Sequence, residues 1–143
     1  MSVKPIPEGH HSVTPYLVVD DAARLIDFLK QAFQAVEMHR MQGPDGRVRH
    51  AEVRIGDSMV MLGEAQGQWK ALPCALYLYV ENADVVYRQA LKAGATSLME
   101  PADQFYGDRH GGVIDPCGNQ WWVATHIEDV SNEEIARRAA SRH

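Results

Sequence analysis

The chain states one pattern twice, 61 residues apart: residues 16–23 read YLVVDDAA and residues 77–84 read YLYVENAD. At that offset Tyr16 matches Tyr77, Leu17 matches Leu78, Val19 matches Val80, Ala22 matches Ala83 and Ala32 matches Ala93. The same offset carries Val60-Met61-Leu62 onto Trp121-Trp122-Val123. One ungapped register therefore joins the starts and the ends of two halves. A repeat of this period is one supersecondary unit used more than once. Two such units face each other across a pseudo-twofold axis, with a space for a ligand between them. Each candidate site residue then has a counterpart in the other half.

Within each half the punctuation predicts βαβββ. Val13 to Val19 reads as a strand. Asp20 and Asp21 cap a helix with apolar positions Ala22, Leu25, Ile26, Leu29, Ala32 and Phe33. Strands follow over Val36–Met41, Val48–Ile55 and Met59–Leu62, separated by the turns Gly43-Pro44-Asp45-Gly46 and Gly56-Asp57-Ser58. After the linker GEAQGQWKALP the order repeats. Ala75–Val80 is a strand, Asn82 caps a helix that ends at Gly94, and Thr96–Met99 is a strand. DQFYGDRHGG reads as a loop before a short strand at Val113-Ile114, and Gln120–Thr125 is the last strand. Ser131 and Glu134 form a capping box for a C-terminal helix over about 131–142. Module one thus spans about 12–64, the linker 65–73 and module two about 74–126, preceded by an extended arm with Pro5, Pro7 and Gly9.

The 143 residues suit one domain with a proper core, and 45% of them are hydrophobic. A net charge of −5 gives no electrostatic basis for nucleic-acid binding. No apolar run approaches the roughly 20 residues of a membrane span, and the first residues carry no apolar signal core. Cys74 and Cys117 form no CxxC pair, so a reducing cytoplasm is the expected compartment.

Strand alternation assigns faces. Leu17, Val19, Leu76, Leu78, Val80, Val60, Leu62, Trp121 and Val123 fall beneath the helices. Thr14, Tyr16, Val18, Ala75, Tyr77, Tyr79, Met59, Met61, Gln120 and Trp122 fall on the face toward the shared cavity, and His50, Glu52 and Arg54 face the cavity or solvent.

The segments TPYLVVDDAARLIDFLKQAF, GPDGRVRHAEVRIGDSMVML, LYLYVENADVVYRQALKAGAT and QFYGDRHGGVIDPCGNQWWVATHIEDVSNEE resemble the vicinal oxygen chelate superfamily, and within it the PhnB-like (glyoxalase/bleomycin-resistance) branch. The resemblance implies an α+β fold in which two tandem βαβββ modules curl a sheet around a shared cavity. It also implies a homodimer. The superfamily hosts lyases, isomerases, dioxygenases and drug binders, so function has to be argued from the site.

Metalloenzymes of that superfamily place His or Glu on the first and last strand of each module. The matching positions here are Thr14, Ala75, Met61 and Trp122, and no such set makes a zinc- or iron-type site. No cofactor is therefore expected. A displaced divalent-metal site could draw on His50, Glu52 and Glu64, with His110 nearby; the opposing reading is a wet polar strand face. The remaining lining, Tyr16, Met61, Trp69, Tyr77, Tyr79 and Trp122, suits a flat or apolar molecule, unless it merely fills a core. Tyr106 and Arg109 join that ligand set, with Arg109 anchoring an acid group. Asp108, Arg109 and His110 are the candidates for proton transfer.

Three functions follow in order. The first is a metal-independent binder of a small aromatic or apolar molecule. The second is a glyoxalase-type lyase, isomerase or dioxygenase with a displaced metal. The third is a scaffold or regulatory dimer with a filled core.

Overall fold

The computed structural model describes residues 3–142. The first two residues of the arm and the terminal His143 lie outside the described residues. Module one comprises β1 (Tyr16–Val19), α1 (Ala22–Phe33), β2 (Val36–Gln42), β3 (Val48–Ile55) and β4 (Ser58–Glu64). Module two comprises β5 (Ala75–Tyr79), α2 (Ala83–Lys92), β6 (Thr96–Asp103), β7 (Asp108–Ile114) and β8 (Gln120–His126), and α3 (Asn132–Ala140) follows.

The sheet orders repeat as the elements do, β1-β4-β3-β2 and β5-β8-β7-β6. The first and last strand of each module pair in parallel, and the other pairs are antiparallel. These are two four-stranded sheets in an α+β fold, and among the described residues no strand pairing closes one onto the other.

The helices begin where their caps dictate. The Arg24 N–H donates to the Asp21 carboxylate (3.2 Å), Val85 N–H to Asn82 (3.2 Å) and Glu134 N–H to Ser131 (3.1 Å). Each supplies an acceptor for one of the four free N–H groups of a helix start. The apolar stripe Leu25, Ile26, Leu29, Ala32 of α1 is fully buried against Leu17, Val53 and Leu62. The two halves share this core. The rings of Phe33 and Trp121 lie 5.0 Å apart, and Gln89 Nε2 on α2 donates to the Gln31 carbonyl on α1 (2.8 Å).

The turn between β7 and β8 is a second anchor. Buried Asp115 accepts from the backbone N–H of Cys117 (2.8 Å) and Asn119 (3.0 Å), from Asn119 Nδ2 (3.0 Å) and from Trp121 Nε1 (2.9 Å). Asn119 Oδ1 in turn accepts from Cys74 N–H (2.9 Å), tying β5 to this turn. Cys117 is structural there, and burial pushes its thiol up to about 11.

Three expectations change. β1 starts at Tyr16, three residues later than its apolar pattern predicts, because Val13 and Thr14 make no ladder. β6 runs on to Asp103 through register shifts, carrying Pro101 on an edge strand where a missing N–H is tolerated. The largest correction concerns 108–112, which is strand and not loop. The turn is confined to Gln104–Gly107, closed by Gly107 N–H to the Gln104 carbonyl (3.1 Å), with Gly107 at φ +101. The glycines that suggested a loop serve packing. A Cβ on Gly112 would lie 2.5 Å from the Trp122 ring, and one on Gly111 3.0 Å from Tyr87.

Candidate functional site

Because helices cover one face of each sheet, the other face is free to present side chains. Register decides which ones meet. Tyr16 lies opposite Met61 across β1 and β4, and Tyr77 lies opposite Trp122 across β5 and β8. The expected ligand set therefore divides into two groups, one per module.

On module one, Tyr16 Oη lies 3.3 Å from His50 Nδ1. His50 Nε2 is 3.9 Å from Glu52, and the other Glu52 oxygen is 2.9 Å from His10 Nε2 on the arm. The Glu52 hydrogen bond raises the His10 pKa above its ordinary value, against a smaller opposing effect of burial. Trp69 projects from the linker with 65% of its surface exposed, on a two-way backbone bridge to Gln66, while Leu72 N–H pairs with the Val18 carbonyl. A cavity of about 490 Å³ lies between this strap and the sheet, with Tyr16, Val18, Arg49, Glu64 and Trp69 in its wall. Gly63 makes room there, since a Cβ would stand 2.5 Å from the Arg49 carbonyl oxygen and 3.0 Å from Tyr16 Oη.

The displaced metal set does not assemble as predicted. His50 and Glu52 are neighbours, but Glu64 accepts from Arg47 Nε (2.8 Å) and from Ala22 N–H at the start of α1 (3.3 Å). A carboxylate at a helix N-terminus is stabilised where it is. His10, which the sequence left in the arm, takes the place beside Glu52. Among the described residues no group of three or more His, Cys, Asp or Glu side chains is arranged to hold a metal ion.

On module two the centre is Asp108, only 3% exposed. It accepts from Tyr77 Oη (2.7 Å), Tyr79 Oη (2.8 Å) and His126 Nδ1 (2.8 Å). Burial alone pushes its carboxyl up, but the bonds from His126, Tyr77 and Tyr79 outweigh this and hold it below the usual carboxylate range. Burial and then the Asp108 bond drive the Tyr77 phenol well above its ordinary value. His126 is raised by Asp108 and then by Asp129. His110 Nδ1 sits 3.1 Å from Tyr77 Oη and 3.2 Å from Tyr106 Oη. Its ring lies tilted at 44° to that of Trp122, with centroids 5.3 Å apart. Burial lowers the His110 pKa, with Asp108 opposing, so the neutral imidazole is favoured.

Arg109 does not join this face. Alternation along β7 turns it toward α2, where it binds Asp84 through Nε (2.8 Å) and Nη2 (3.1 Å) and Asp103 through Nη1 (3.0 Å). A guanidinium so neutralised is not an open anchor for an acid group. Thr14 lines a smaller cavity of about 280 Å³ between the modules, with Met59, Leu76 and Trp121. A groove of about 570 Å³ also separates them, floored by Phe33, Ile55, Leu78 and Val86.

Sequence reasoning missed the hub role of Asp108, the part of His126, and the equivalence of His50 with His110. A signal for the last exists. Arg49-His50-Ala51-Glu52-Val53 matches Arg109-His110-Gly111-Gly112-Val113 at an offset of 60, one short of the main repeat. Val53 pairs with Val60 and Val113 with Trp121, so the second hairpin is one residue longer, which hides the match.

Residues 9–123 match the family described as the Glyoxalase/Bleomycin resistance protein/Dioxygenase superfamily. An uncharacterized protein of Mycobacterium bovis is 39% identical over 142 residues, covering 92% of this chain and 93% of the relative. Among solved structures, TioX from Micromonospora sp. ML1 superposes with a TM-score of 0.71 at 23% identity, over 82% of this chain and 99% of that one. A PhnB protein from Bacillus cereus superposes at 0.64 with 19% identity, over 80% and 99%. At these identities the structural likeness shows the fold. No helix among the described residues is long and apolar enough to cross a membrane.

Proposed function

As the chain belongs to the glyoxalase/bleomycin resistance protein/dioxygenase superfamily, we propose that it is a metal-independent binder of a small aromatic or apolar molecule. One observation carries this reading: Tyr16, Trp69, Tyr77 and Tyr79 are left exposed on the sheet faces and the linker strap. Tyr77 stands opposite Trp122 in register. Aromatic rings on a concave face bind flat ligands through dispersion and stacking.

The residues at the superfamily's metal positions do not fit a metal. Thr14, Met61, Ala75 and Trp122 offer neither the imidazoles nor the carboxylates that hard and borderline cations take. The alternative, a metal-dependent lyase, isomerase or dioxygenase at His50 and Glu52, has weaker support because Glu64 is held elsewhere. A homodimer that covers the two open sheet faces, and a place in the PhnB-like branch, belong to the same proposal.

The test is a titration of chelator-treated protein with planar aromatic compounds, read by quenching of Trp69 and Trp122. Saturable binding should survive metal removal. Trp122→Ala should weaken it at least about tenfold, the scale of losing one stacked ring. Unchanged affinity in Trp122→Ala, or binding that requires an added divalent metal, would end this reading.

A further inference from the structure

We infer that His110 is the polar anchor of the module-two face, accepting through Nε2 a hydrogen bond from an O–H or N–H borne on the ligand's flat ring. This rests on the reading of the protein as an aromatic binder and specifies the ligand's chemistry.

Proton bookkeeping around the imidazole supports it. The Tyr77 hydroxyl has one proton, and its 2.7 Å bond commits that proton to Asp108. Toward His110, 3.1 Å away, Tyr77 then presents only lone pairs. Tyr106 Oη, 3.2 Å from the same nitrogen, can accept or donate. A bare Nδ1 could take a proton from Tyr106 but would still set its lone pair against that of Tyr77, whereas Nδ1–H donates to both hydroxyls, so Nδ1 carries the hydrogen. The result is a chain from His110 Nδ1–H to Tyr77 Oη–H to the Asp108 carboxylate, each bond polarising the next. A neutral imidazole with its proton on Nδ1 has its lone pair on Nε2. Among the described residues Nε2 has no hydrogen-bond partner, and no buried side-chain nitrogen or oxygen lacks one, so Nε2 is accessible. Trp122 lies beside it, with ring centroids 5.3 Å apart. A flat ring stacked on Trp122 would bring a donor on its edge to Nε2. His110 would touch the ligand directly, whereas Tyr77 and Asp108 act through it as positioning residues.

The probes are 2-naphthol and 2-methylnaphthalene, which match in size and differ in one donor. Equilibrium dialysis at neutral pH should show about a tenfold preference for naphthol, the worth of one good hydrogen bond. In His110→Phe the ratio should fall to about one. Nitrogen NMR of the unliganded protein should find His110 as the Nδ1–H tautomer, a reading that needs neither ligand nor variant. The groups facing His110 are Tyr77 from β5, Asp108 from β7 and Tyr106 from the turn. Its lowered pKa means that the preference persists from neutral pH down to below 6.5 and is lost as the ring protonates. Tyr77→Phe cuts the link to Asp108, so it should shrink the preference and move that midpoint to lower pH. A merely structural tyrosine would leave the midpoint in place. Equal affinities in the unaltered protein, or an Nε2–H tautomer, would overturn the inference while leaving the aromatic-binder reading intact. Failure of both probes to bind would overturn both.

Discussion

The two modules place a tyrosine against a histidine in the same way, and then put the carboxylate on opposite sides of the imidazole. Module one pairs Tyr16 with His50 and has Glu52 facing His50 Nε2. Module two pairs Tyr77 with His110 and has Asp108 behind the tyrosine, on the Nδ1 side. At the offset of 60, Asp108 corresponds to Val48 and Glu52 to Gly112. A carboxylate displaced four residues along an equivalent strand thus decides which ring nitrogen it governs. In module one the outer nitrogen faces a carboxylate and an arm. In module two it is open beside a tryptophan. A duplicated scaffold can therefore hold two chemically different faces without changing a single strand pairing.

Exchanging these positions tests the comparison most severely. Val48 is buried to 1% exposure with no donors assigned to it, so Val48→Asp should destabilise the protein by about 4 kcal/mol, the scale of an unpaired buried charge. Asp108→Val removes the acceptor of three donors, all on exposed residues that can turn to water, and should remove about 2 kcal/mol. Urea unfolding measures both. Similar losses would mean that the strand environments are alike and that Asp108 is not specially provided for. The hairpins give the next contrast. Asp115→Ala leaves four donors without their acceptor and should lose about 3 kcal/mol, while Asp57→Ala in the shorter, exposed hairpin should stay within about 0.5 kcal/mol.

The fold was legible because its signals are local and repeated. The Asp21, Asn82 and Ser131 caps, the apolar stripe of α1 and the strand alternation each point to the same element that forms. Residues 108–112 read as loop because a packing glycine and a turning glycine look alike in one dimension. Gly107 turns the chain, whereas Gly112 is small because Trp122 lies over it. The site was less legible, since it depends on register and on side-chain direction. Nothing in Asp108-Arg109-His110 by itself says that alternation sends Asp108 and His110 to one face and Arg109 to α2. The role of His10 was invisible, because an arm has no periodicity from which its docking partner could be read.

The smallest expected effect separates the two faces by proton affinity. His10 gains a carboxylate partner and is raised above 6.5, whereas half-buried His110 is lowered below it. A raised folded-state pKa gives stability that is fully present below the unfolded value and is lost as pH rises through the folded one. The bond from His10 to Glu52 should therefore hold the arm most firmly at mildly acidic pH and weaken as pH climbs past His10's own titration. Around it stand Glu8 on the arm and Glu52 and His50 on β3. Histidine proton NMR should show His10 titrating above 6.5 and His110 below it. Amide exchange near residue 10 should quicken on the alkaline side. His10→Gln should make arm exchange independent of that titration and leave the module-two network as it is. If the arm exchanged equally fast on both sides of the His10 midpoint, the contact with Glu52 would not be what docks it.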